Sequence, residues 1–242
     1  PSMVLSSHTG GFDSVTKQDL TAFLSSALAS YRAQHLVFDC VYTGYLANPA
    51  QAGLVGEALA AFGAQLIVVD PVMADGGRFY TGFDETMACA MRALCAKADL
   101  ITPNPTEAAL LLKETLPVKA LCEEALCEQA QALAACFDTA VLLTGAPLCD
   151  GRTVVAGCAR DGTGFFMLPC AYVNAQYPGT GDLFTAVLTG ALLRGKTLSI
   201  AARMALSVTE KAVHTTYQAG TDPRFGVAFE PLLTTLEDFL CR

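Results

Sequence analysis

The sequence has few basic residues and no lysine-bearing phosphate loop. Lys and Arg number 15 against 23 Asp and Glu, so the formal net charge of this 242-residue chain is −8 at pH 7. Nucleic acids and anionic membranes are bound through clustered positive charge, so neither is an expected partner. A bound nucleotide must therefore be held by backbone N–H groups, a few cations and a metal ion.

The sequence also lacks the patterns of zinc-binding and membrane proteins. Its 10 cysteines include no Cys-x-x-Cys pair and only 3 histidines are present, so a structural zinc site is not expected. No apolar run approaches the ~20 residues of a membrane-spanning helix. Because the cysteines are scattered through apolar segments, we expect buried, reduced thiols in a cytoplasmic protein.

What is present indicates one large α/β domain. Apolar residues make up 52% of the chain and charged residues 16%, a composition typical of compact globular proteins. Strand-like apolar runs alternate with helical patterns, and the run at 66–70 is almost wholly apolar, as in sheets covered by helices on both faces. The alternation predicts a single three-layer α/β/α domain over residues 1–242, with a mainly parallel central sheet.

The boundaries of the elements follow from the same patterns. Strands are predicted at 36–41, 66–70, 100–102, 140–144, 153–159 and 164–168. Helices are predicted near 17–33, 50–63, 84–97, 105–113, 119–136, 182–194, 198–218 and 230–240. The segment 151–168 has no helical pattern, so we expect an antiparallel hairpin with its turn at Asp161-Gly162. Residues 1–7 have the pattern of a strand and its following loop, which predicts a domain that is incomplete at its N-terminus.

A glycine-rich loop precedes the predicted helix at 182–194. It consists of Pro178-Gly179-Thr180-Gly181-Asp182. Small residues at a helix start expose backbone N–H groups, and the helix dipole adds positive potential, so the loop is a candidate site for a phosphoryl group. Asp182 in the first turn is placed to take a proton from an attacking hydroxyl. The alternative is an ordinary loop with an aspartate at the helix start.

Polar residues follow three of the predicted strands. Asp70 ends one, Asn104 and Glu107 come just after the next, and Thr144 ends a third. The carboxyl ends of parallel strands meet at one edge of a sheet, where ligands bind. Together with Asp182, these oxygen-rich side chains would suit Mg²⁺ carrying nucleotide phosphates. Each also has a structural alternative, since Asp70 would end a strand, Asn104 would cap a helix and Glu107 would pair with that cap.

Taken in order, these motifs resemble the pyridoxal kinase family of the ribokinase-like superfamily, in particular its bacterial pyridoxal/pyridoxamine kinases. The resemblance covers almost the whole chain. The matching segments are Ser7-His8-Thr9-Gly10-Gly11-Phe12, Tyr42-Thr43-Gly44-Tyr45-Leu46, Asp70-Pro71-Val72-Met73-Ala74-Asp75-Gly76-Gly77, Ile101-Thr102-Pro103-Asn104-Pro105-Thr106-Glu107-Ala108, Leu143-Thr144-Gly145, Pro178-Gly179-Thr180-Gly181-Asp182 and Asp222-Pro223-Arg224-Phe225-Gly226.

The resemblance implies a ribokinase-like fold and ATP-dependent phosphorylation of the 5′-hydroxymethyl group of a vitamin B6 vitamer. The products are the 5′-phosphate and ADP. By the same resemblance Asp182 is the base and also contacts the vitamer, while Gly179, Thr180 and Gly181 form the anion hole. Members of the family begin with a strand, a helix and part of a further strand ahead of the point that matches Pro1.

Further roles come from the resemblance alone. Asp70 and Glu107 match positions that organise Mg²⁺ and the ATP phosphates, and Asn104 lies beside them. Other nucleotide contacts fall on Thr102, Thr144 and Gly145. Vitamer contacts fall on Thr9, Gly10 and Tyr45. The resemblance also implies a homodimer, and it leaves open a monovalent cation and the choice among pyridoxal, pyridoxamine and pyridoxine.

Two alternatives remain at this point. Hydroxymethylpyrimidine kinases of the same superfamily share the Asp-Pro-Val-Met, Pro-Asn-x-x-Glu and Gly-Thr-Gly-Asp segments. The segments at 43–46 and 7–11 favour the pyridoxal kinases. The second alternative is a relative that binds pyridoxal phosphate without turning it over. The intact Asp182 favours an enzyme.

Overall fold

The structure is a computed structural model that describes residues 1–7, 12–116, 120–171 and 177–234. The chain divides into two compact units. Unit 1 comprises Pro1–Val4 and Gln18–Leu168, and unit 2 comprises Leu5–Lys17 and Pro169–Arg242. The single domain over 1–242 remains a prediction.

The described part of the chain contains ten strands, seven α-helices and two short 3₁₀ turns. In chain order these are β1 (Met3–Leu5), β2 (Lys17–Asp19), α1 (Thr21–Ala33), β3 (Cys40–Thr43), α2 (Pro49–Leu59), β4 (Leu66–Val69), β5 (Ala74–Asp75), β6 (Arg78–Phe79), α3 (Glu85–Cys95), β7 (Leu100–Ile101), α4 (Pro105–Leu112), α5 (Glu123–Phe137), β8 (Ala140–Pro147), β9 (Thr153–Cys158), β10 (Phe166–Pro169), α6 (Thr180–Leu193), α7 (Leu198–Gln218) and the 3₁₀ turns Pro223–Phe225 and Glu230–Leu232.

The main sheet has six strands in the order β10-β9-β8-β7-β4-β3. β3, β4, β7 and β8 pair in parallel, and β9 pairs antiparallel with β8. The carboxyl-terminal halves of the central strands are buried, with Val68 and Val69 of β4 and Ile101 of β7 at 0% exposure. A strand buried on both faces needs apolar residues at successive positions, which is the pattern found in the sequence. The predicted fold class, a mainly parallel central sheet flanked by helices, is confirmed.

Two predicted boundaries near the start of the chain are wrong. The strand expected at 36–41 is β3, which begins only at Cys40, because Leu36 and Val37 lie in the exposed connection after α1. The helix expected from residue 17 begins at Thr21, because 17–19 pair with β1 as a strand. Asp19 accepts a hydrogen bond from the Thr21 N–H at 2.7 Å, which fixes the turn into α1.

The segment after β8 has the predicted form. β9 lies between β8 and β10 in the sheet, with no helix among the residues that connect β9 to β10. The turn at Asp161-Gly162 is closed by hydrogen bonds between Ala159 and Thr163 and between Gly162 and Ala159. Gly162 has φ 76°, a backbone conformation that suits glycine.

In unit 2, α6 and α7 pack against each other, and a buried hydroxyl ties α7 to the chain that follows it. Thr216 of α7 is 0% exposed; its Oγ1 donates to the Ala212 carbonyl at 2.7 Å and accepts from the Ala228 N–H at 2.9 Å. This hydroxyl therefore anchors the segment beyond α7.

We expect Thr216→Val to lower the free energy of unfolding by about 1–3 kcal/mol, because the shape is kept while the Ala228 N–H loses its acceptor. Chemical denaturation of the purified chain measures the change. The matched control is Thr215→Val at the neighbouring exposed position, which should change stability by less than about 0.5 kcal/mol. Equal stability of the two variants would show that Thr216 does not anchor the segment.

The nine described cysteines are free, but only Cys95 and Cys158 are buried; three are half-buried and four are exposed, so the prediction of buried thiols is largely wrong. The exposed cysteines are Cys89, Cys122, Cys136 and Cys149. The prediction fails for the exposed cysteines because it treated cysteine as an apolar residue. Cys89 and Cys136 lie on the solvent sides of α3 and α5, and Cys122 precedes α5.

No helix in the described ranges has the length and apolar character needed to span a membrane.

Candidate functional site

Two candidate residues of unit 1 follow adjacent parallel strands. Asp70 comes directly after β4, and its N–H donates to the Thr43 carbonyl at the end of β3 at 2.9 Å. Thr102 comes directly after β7, and its N–H donates to the Val69 carbonyl of β4 at 3.1 Å. These bonds extend the parallel ladder by one residue on each strand. They place Asp70 and Thr102 at the carboxyl edge of the sheet, as predicted.

Asn104 and Glu107 form the N-terminal capping box of α4. The Asn104 side chain accepts from the N–H groups of Thr106 at 2.9 Å and Glu107 at 3.0 Å, and Glu107 Oε2 accepts from the Asn104 N–H at 3.0 Å. Pro105 at the first helical position suits this start, because its missing N–H is one that a helix leaves unpaired. The structural alternatives noted for Asn104 and Glu107 are thus real features of the chain.

Glu107 also reaches beyond the cap to the segment that follows Asp70. Its Oε1 accepts from the Met73 N–H at 3.1 Å and from the Ala74 N–H at 3.5 Å. The residue is only 3% exposed. Burial, and then the nearby Asp70 carboxylate, raise the pKa of Glu107 well above its ordinary value, while the three backbone donors lower it. Glu107 therefore connects the start of α4 to the segment after β4 through hydrogen bonds, and its carboxyl group interacts with that of Asp70.

The hairpin of β5 and β6 is held against the same helix start. Asn104 Nδ2 donates to the Ala74 carbonyl at 2.8 Å, and the Gly77 N–H donates to Thr106 Oγ1 at 3.0 Å. Gly76 and Gly77, at the hairpin turn, have φ values of 57° and 80°, which a side chain would strain. The cap residues of α4 therefore fix the position of the whole turn.

Tyr80, just after the hairpin, is a member of this cluster that the sequence did not single out. Burial raises its pKa, and the carboxylates of Glu107, Asp75 and Asp70 raise it further. Its phenol therefore stays protonated and can donate a hydrogen bond. The available signal was the Asp75-Gly76-Gly77 turn, which returns the chain towards the acidic residues.

Thr144 and Gly145 lie at a β-bulge in β8. The register with β9 shifts between Leu143 and Ala146, and Gly145 has φ 63°. The Thr144 N–H donates to the Pro103 carbonyl at 3.0 Å, which brings the bulge beside the chain leading into α4. Bulges redirect side chains at functional edges. The structure thus brings Thr144 next to the segment that carries Asn104.

Two buried threonine hydroxyls of this edge make no hydrogen bond within the described residues. They belong to Thr43 and Thr102, which are 6% and 2% exposed. A buried hydroxyl without a partner is costly and calls for an explanation such as a ligand or ordered water. Tyr45 follows closely after Thr43, and its ring stacks on Phe83 with centroids 5.6 Å apart. A stacked, half-exposed ring of this kind is suited to a planar ligand.

The donor set of unit 1 fits Mg²⁺ better than a metal held by protein alone. Asp70 and Glu107 supply carboxylate oxygens, the hard ligands that Mg²⁺ prefers. Across the described ranges, no three His, Cys, Asp or Glu side chains are grouped so as to hold a metal ion. Mg²⁺ commonly uses one or two carboxylates and takes its other ligands from water and phosphates. Asp70 and Glu107 are therefore the residues of unit 1 that could hold Mg²⁺.

Unit 2 contains the loop at the start of α6. Gly179 is the N-cap, with φ 85° and ψ 0°, and no side chain caps the helix. The Thr180 hydroxyl donates to the Tyr177 carbonyl at 3.2 Å, and the Leu183 N–H donates to the Gly179 carbonyl at 3.0 Å. Asp182 lies in the first helical turn and is exposed. The helix start and the place of Asp182 in its first turn are as predicted, and the binding of an anion by this loop stays a prediction.

The structure therefore groups Asp70, Asn104, Glu107, Thr102 and Thr144 in unit 1 and the Gly179–Asp182 loop in unit 2. Thr9 and Gly10, the predicted vitamer contacts, lie outside the described residues.

Comparison with known proteins identifies the family of the chain. The chain matches the phosphomethylpyrimidine kinase family over residues 4–225. A hydroxymethylpyrimidine/phosphomethylpyrimidine kinase of Bacillus subtilis is 27% identical over 190 residues, which are 78% of this chain and 68% of that protein. The chain spans about two thirds of the length of the curated relatives it matches.

Two solved structures are similar over almost the whole chain. One is a protein of Bacteroides thetaiotaomicron named as a phosphomethylpyrimidine kinase and crystallised with pyridoxal. It is 36% identical, with a TM-score of 0.91 over 98% of this chain and 84% of that one. The other is the pyridoxal kinase of Lactobacillus plantarum, which is 32% identical, with a TM-score of 0.88 over 100% of this chain and 84% of that one. The chain therefore belongs to the phosphomethylpyrimidine kinase family and has the ribokinase-like fold of the pyridoxal kinases.

Proposed function

We propose that this kinase transfers the γ-phosphoryl group of ATP to the 5′-hydroxymethyl group of a B6 vitamer. The observation that carries the proposal is the start of α6, where a left-handed Gly179 is followed within one turn by Asp182. The Bacteroides relative crystallised with pyridoxal supports this choice of substrate. The chain spans about two thirds of the length of its curated relatives, so the activity of the whole protein is proposed here together with its substrate.

The loop of unit 2 would carry out the chemistry. Asp182 accepts the proton of the attacking hydroxyl, which makes the oxygen a better nucleophile. The backbone N–H groups at Gly179, Thr180 and Gly181 hold the phosphoryl oxygens, where negative charge is stabilised by the helix start. Among the described residues, no atom lies within 4 Å of the position that a Cβ at Gly179 would take, so a ligand can approach the backbone there.

The residues of unit 1 would bind the nucleotide. Asp70 and Glu107 would hold Mg²⁺, which neutralises phosphate charge when bound. Thr102, Thr144 and Gly145 would contact the nucleotide, with the orphan Thr102 hydroxyl as a donor for it. Asn104 holds the chain that supports them, through its bond to the Ala74 carbonyl. Tyr45, Thr9 and Gly10 would contact the vitamer, and a monovalent cation remains open.

The second candidate substrate is hydroxymethylpyrimidine, which the family name and the Bacillus relative favour. We expect kcat/KM for pyridoxal to exceed that for hydroxymethylpyrimidine by about tenfold or more, a discrimination that a few pocket contacts can supply. Coupled detection of ADP, with each substrate at several concentrations, measures both values. The reverse order would assign the pyrimidine as the substrate.

A relative that binds pyridoxal phosphate without turnover is the remaining alternative. It differs by consuming no ATP with any of the three vitamers while still binding pyridoxal phosphate. A homodimer is also part of the proposal, and light scattering on the purified chain tests it. The cytoplasmic location stays a prediction.

A further inference from the structure

The segment beyond α7 lies against the loop that carries Asp182, and this contact depends on a glycine. Gly226 has φ 79° and ψ −168°, a backbone conformation that only glycine adopts without strain. A Cβ at Gly226 would stand 2.9 Å from the carbonyl oxygen of Pro178, the residue just before Gly179. Real Cβ atoms essentially never approach an oxygen this closely, so a side chain here must displace Pro178 or the turn itself.

The turn before Gly226 is closed by local hydrogen bonds. Asp222 accepts from the Arg224 N–H at 3.0 Å, and the Arg224 guanidinium binds the same carboxylate. The N–H groups of Phe225 and Gly226 donate to the carbonyls of Asp222 and Pro223 at 3.1 Å each. These hydrogen bonds within 222–226 hold the turn in the backbone conformation that places Gly226 beside Pro178.

The turn is anchored at a second point and touches a second segment. Just after Gly226, the Ala228 N–H donates to the buried Thr216 hydroxyl of α7. On the other side, the Arg224 guanidinium lies 5.3 Å from the centroid of the Phe12 ring, a cation–π contact, and Phe225 lies 6.4 Å from the same ring. Phe12 follows Gly10 by two positions in the sequence.

We propose that the turn at Asp222–Gly226 positions the Asp182 loop, with Gly226 as the positioning residue. The segment after the turn is fixed to α7 through the Thr216 hydroxyl. Gly226 places its backbone next to the Pro178 carbonyl, and this contact fixes the position of the chain that leads into α6. Gly226 touches no substrate in this proposal and acts only through Pro178. The predicted effect on turnover rests on the proposed kinase function. The positioning of the Asp182 loop by Gly226 does not depend on that function.

The proposal predicts that Gly226→Ala lowers kcat by about 10- to 100-fold, because a shift of about 1 Å in a reacting group can cost this much. The KM for ATP should change much less than kcat, since the nucleotide contacts proposed in unit 1 are untouched. Gly220→Ala is the matched control. Gly220 also has a positive φ, 65°, in unit 2, but a Cβ there meets no atom of the described residues within 4 Å. That variant should retain kcat within about twofold.

Hydrogen exchange in the absence of substrate gives a readout that does not depend on activity. In Gly226→Ala the amides of 183–185, the first in α6 to have an acceptor within the helix, should exchange about tenfold faster than in the unmodified chain, while those of 201–212 in α7 should not change. If Gly226→Ala does not fold, Arg224→Ala, which removes the contact with Phe12 and the brace on Asp222, should accelerate the same amides. Unchanged exchange at 183–185 in the variant that folds would overturn the proposal.

The kinetic outcomes separate this proposal from the proposed function. If the unmodified chain phosphorylates neither a vitamer nor hydroxymethylpyrimidine, the proposed function fails, and the exchange result alone decides the role of Gly226. If the unmodified chain is active and Gly226→Ala has the kcat of Gly220→Ala, the positioning role is wrong. A decrease in kcat matched by an equal decrease in folded protein would also contradict it.

Discussion

Replacing Asp182 by Asn should lower turnover by about 10²–10⁴-fold, the usual effect of losing a general base. The change keeps the size and shape of the side chain but removes the group that accepts the proton. ATP affinity should remain nearly unchanged, because the backbone N–H groups of 179–181 and the residues of unit 1 are untouched. Single-turnover measurement with pyridoxal, together with titration of ATP binding, gives both quantities.

The matched control for this prediction is Glu124→Gln. Glu124 is also an exposed carboxylate in the first turn of a helix, α5, but it has no glycine-rich loop before it. Both variants remove one negative charge from a helix start and should cost similar, small amounts of helix stability. Near-normal turnover in Asp182→Asn would remove Asp182 from the mechanism. An equal loss in both variants would assign the effect to the helix dipole.

How far the sequence predicts this molecule depends on the kind of feature. The apolar run at 66–70 and the alternation of strands and helices were enough to predict the parallel sheet, because a strand buried on both faces is apolar at successive positions. The start of α6 was predicted for a similar reason, since a glycine-rich segment followed by an apolar helix has few other structures. The start of β3 was not, because Leu36 and Val37 are apolar and yet exposed.

The features that the sequence did not reveal are contacts between distant segments. Nothing near Glu107 in the chain indicates that its carboxylate accepts from Met73 and Ala74, more than thirty residues earlier. The same holds for Gly226, whose role depends on the Pro178 carbonyl nearly fifty residues away. Motif spacing identifies residue types suited to a reaction, whereas the contacts that position them depend on the tertiary fold.

Glu107→Gln should raise the Mg²⁺ concentration needed for half-maximal activity by about 10- to 100-fold and weaken ATP binding, the usual range when a residue supporting a metal site is changed. Glutamine keeps one acceptor for the Met73 and Ala74 N–H groups but places an NH₂ group towards the Asn104 N–H, so the α4 cap is weakened as well. Asp84→Asn at the N-cap of α3 is the control, since it alters a capping carboxylate away from the acidic cluster.

A pH series separates the buried charge from the cap. Burial and Asp70 raise the pKa of Glu107 above its ordinary value of 4.5. Between the two values the folded chain holds a proton that the unfolded chain has released. The contribution of Glu107 to the free energy of unfolding is therefore greatest below pH 4.5 and falls as pH rises through this window. The glutamine of Glu107→Gln does not titrate. The free energy of unfolding of the unmodified chain minus that of the variant should therefore decrease as pH rises.

Urea denaturation of both proteins at several pH values above 4 measures this difference, and subtracting the two curves cancels the carboxylates they share. A constant difference would mean that Glu107 is already ionised throughout the window, with its three backbone donors outweighing burial and Asp70. An unaltered Mg²⁺ titration together with lowered stability would assign Glu107 to the α4 cap and its clamp on Met73 and Ala74. In that case Asp70 would be left as the protein's carboxylate for Mg²⁺.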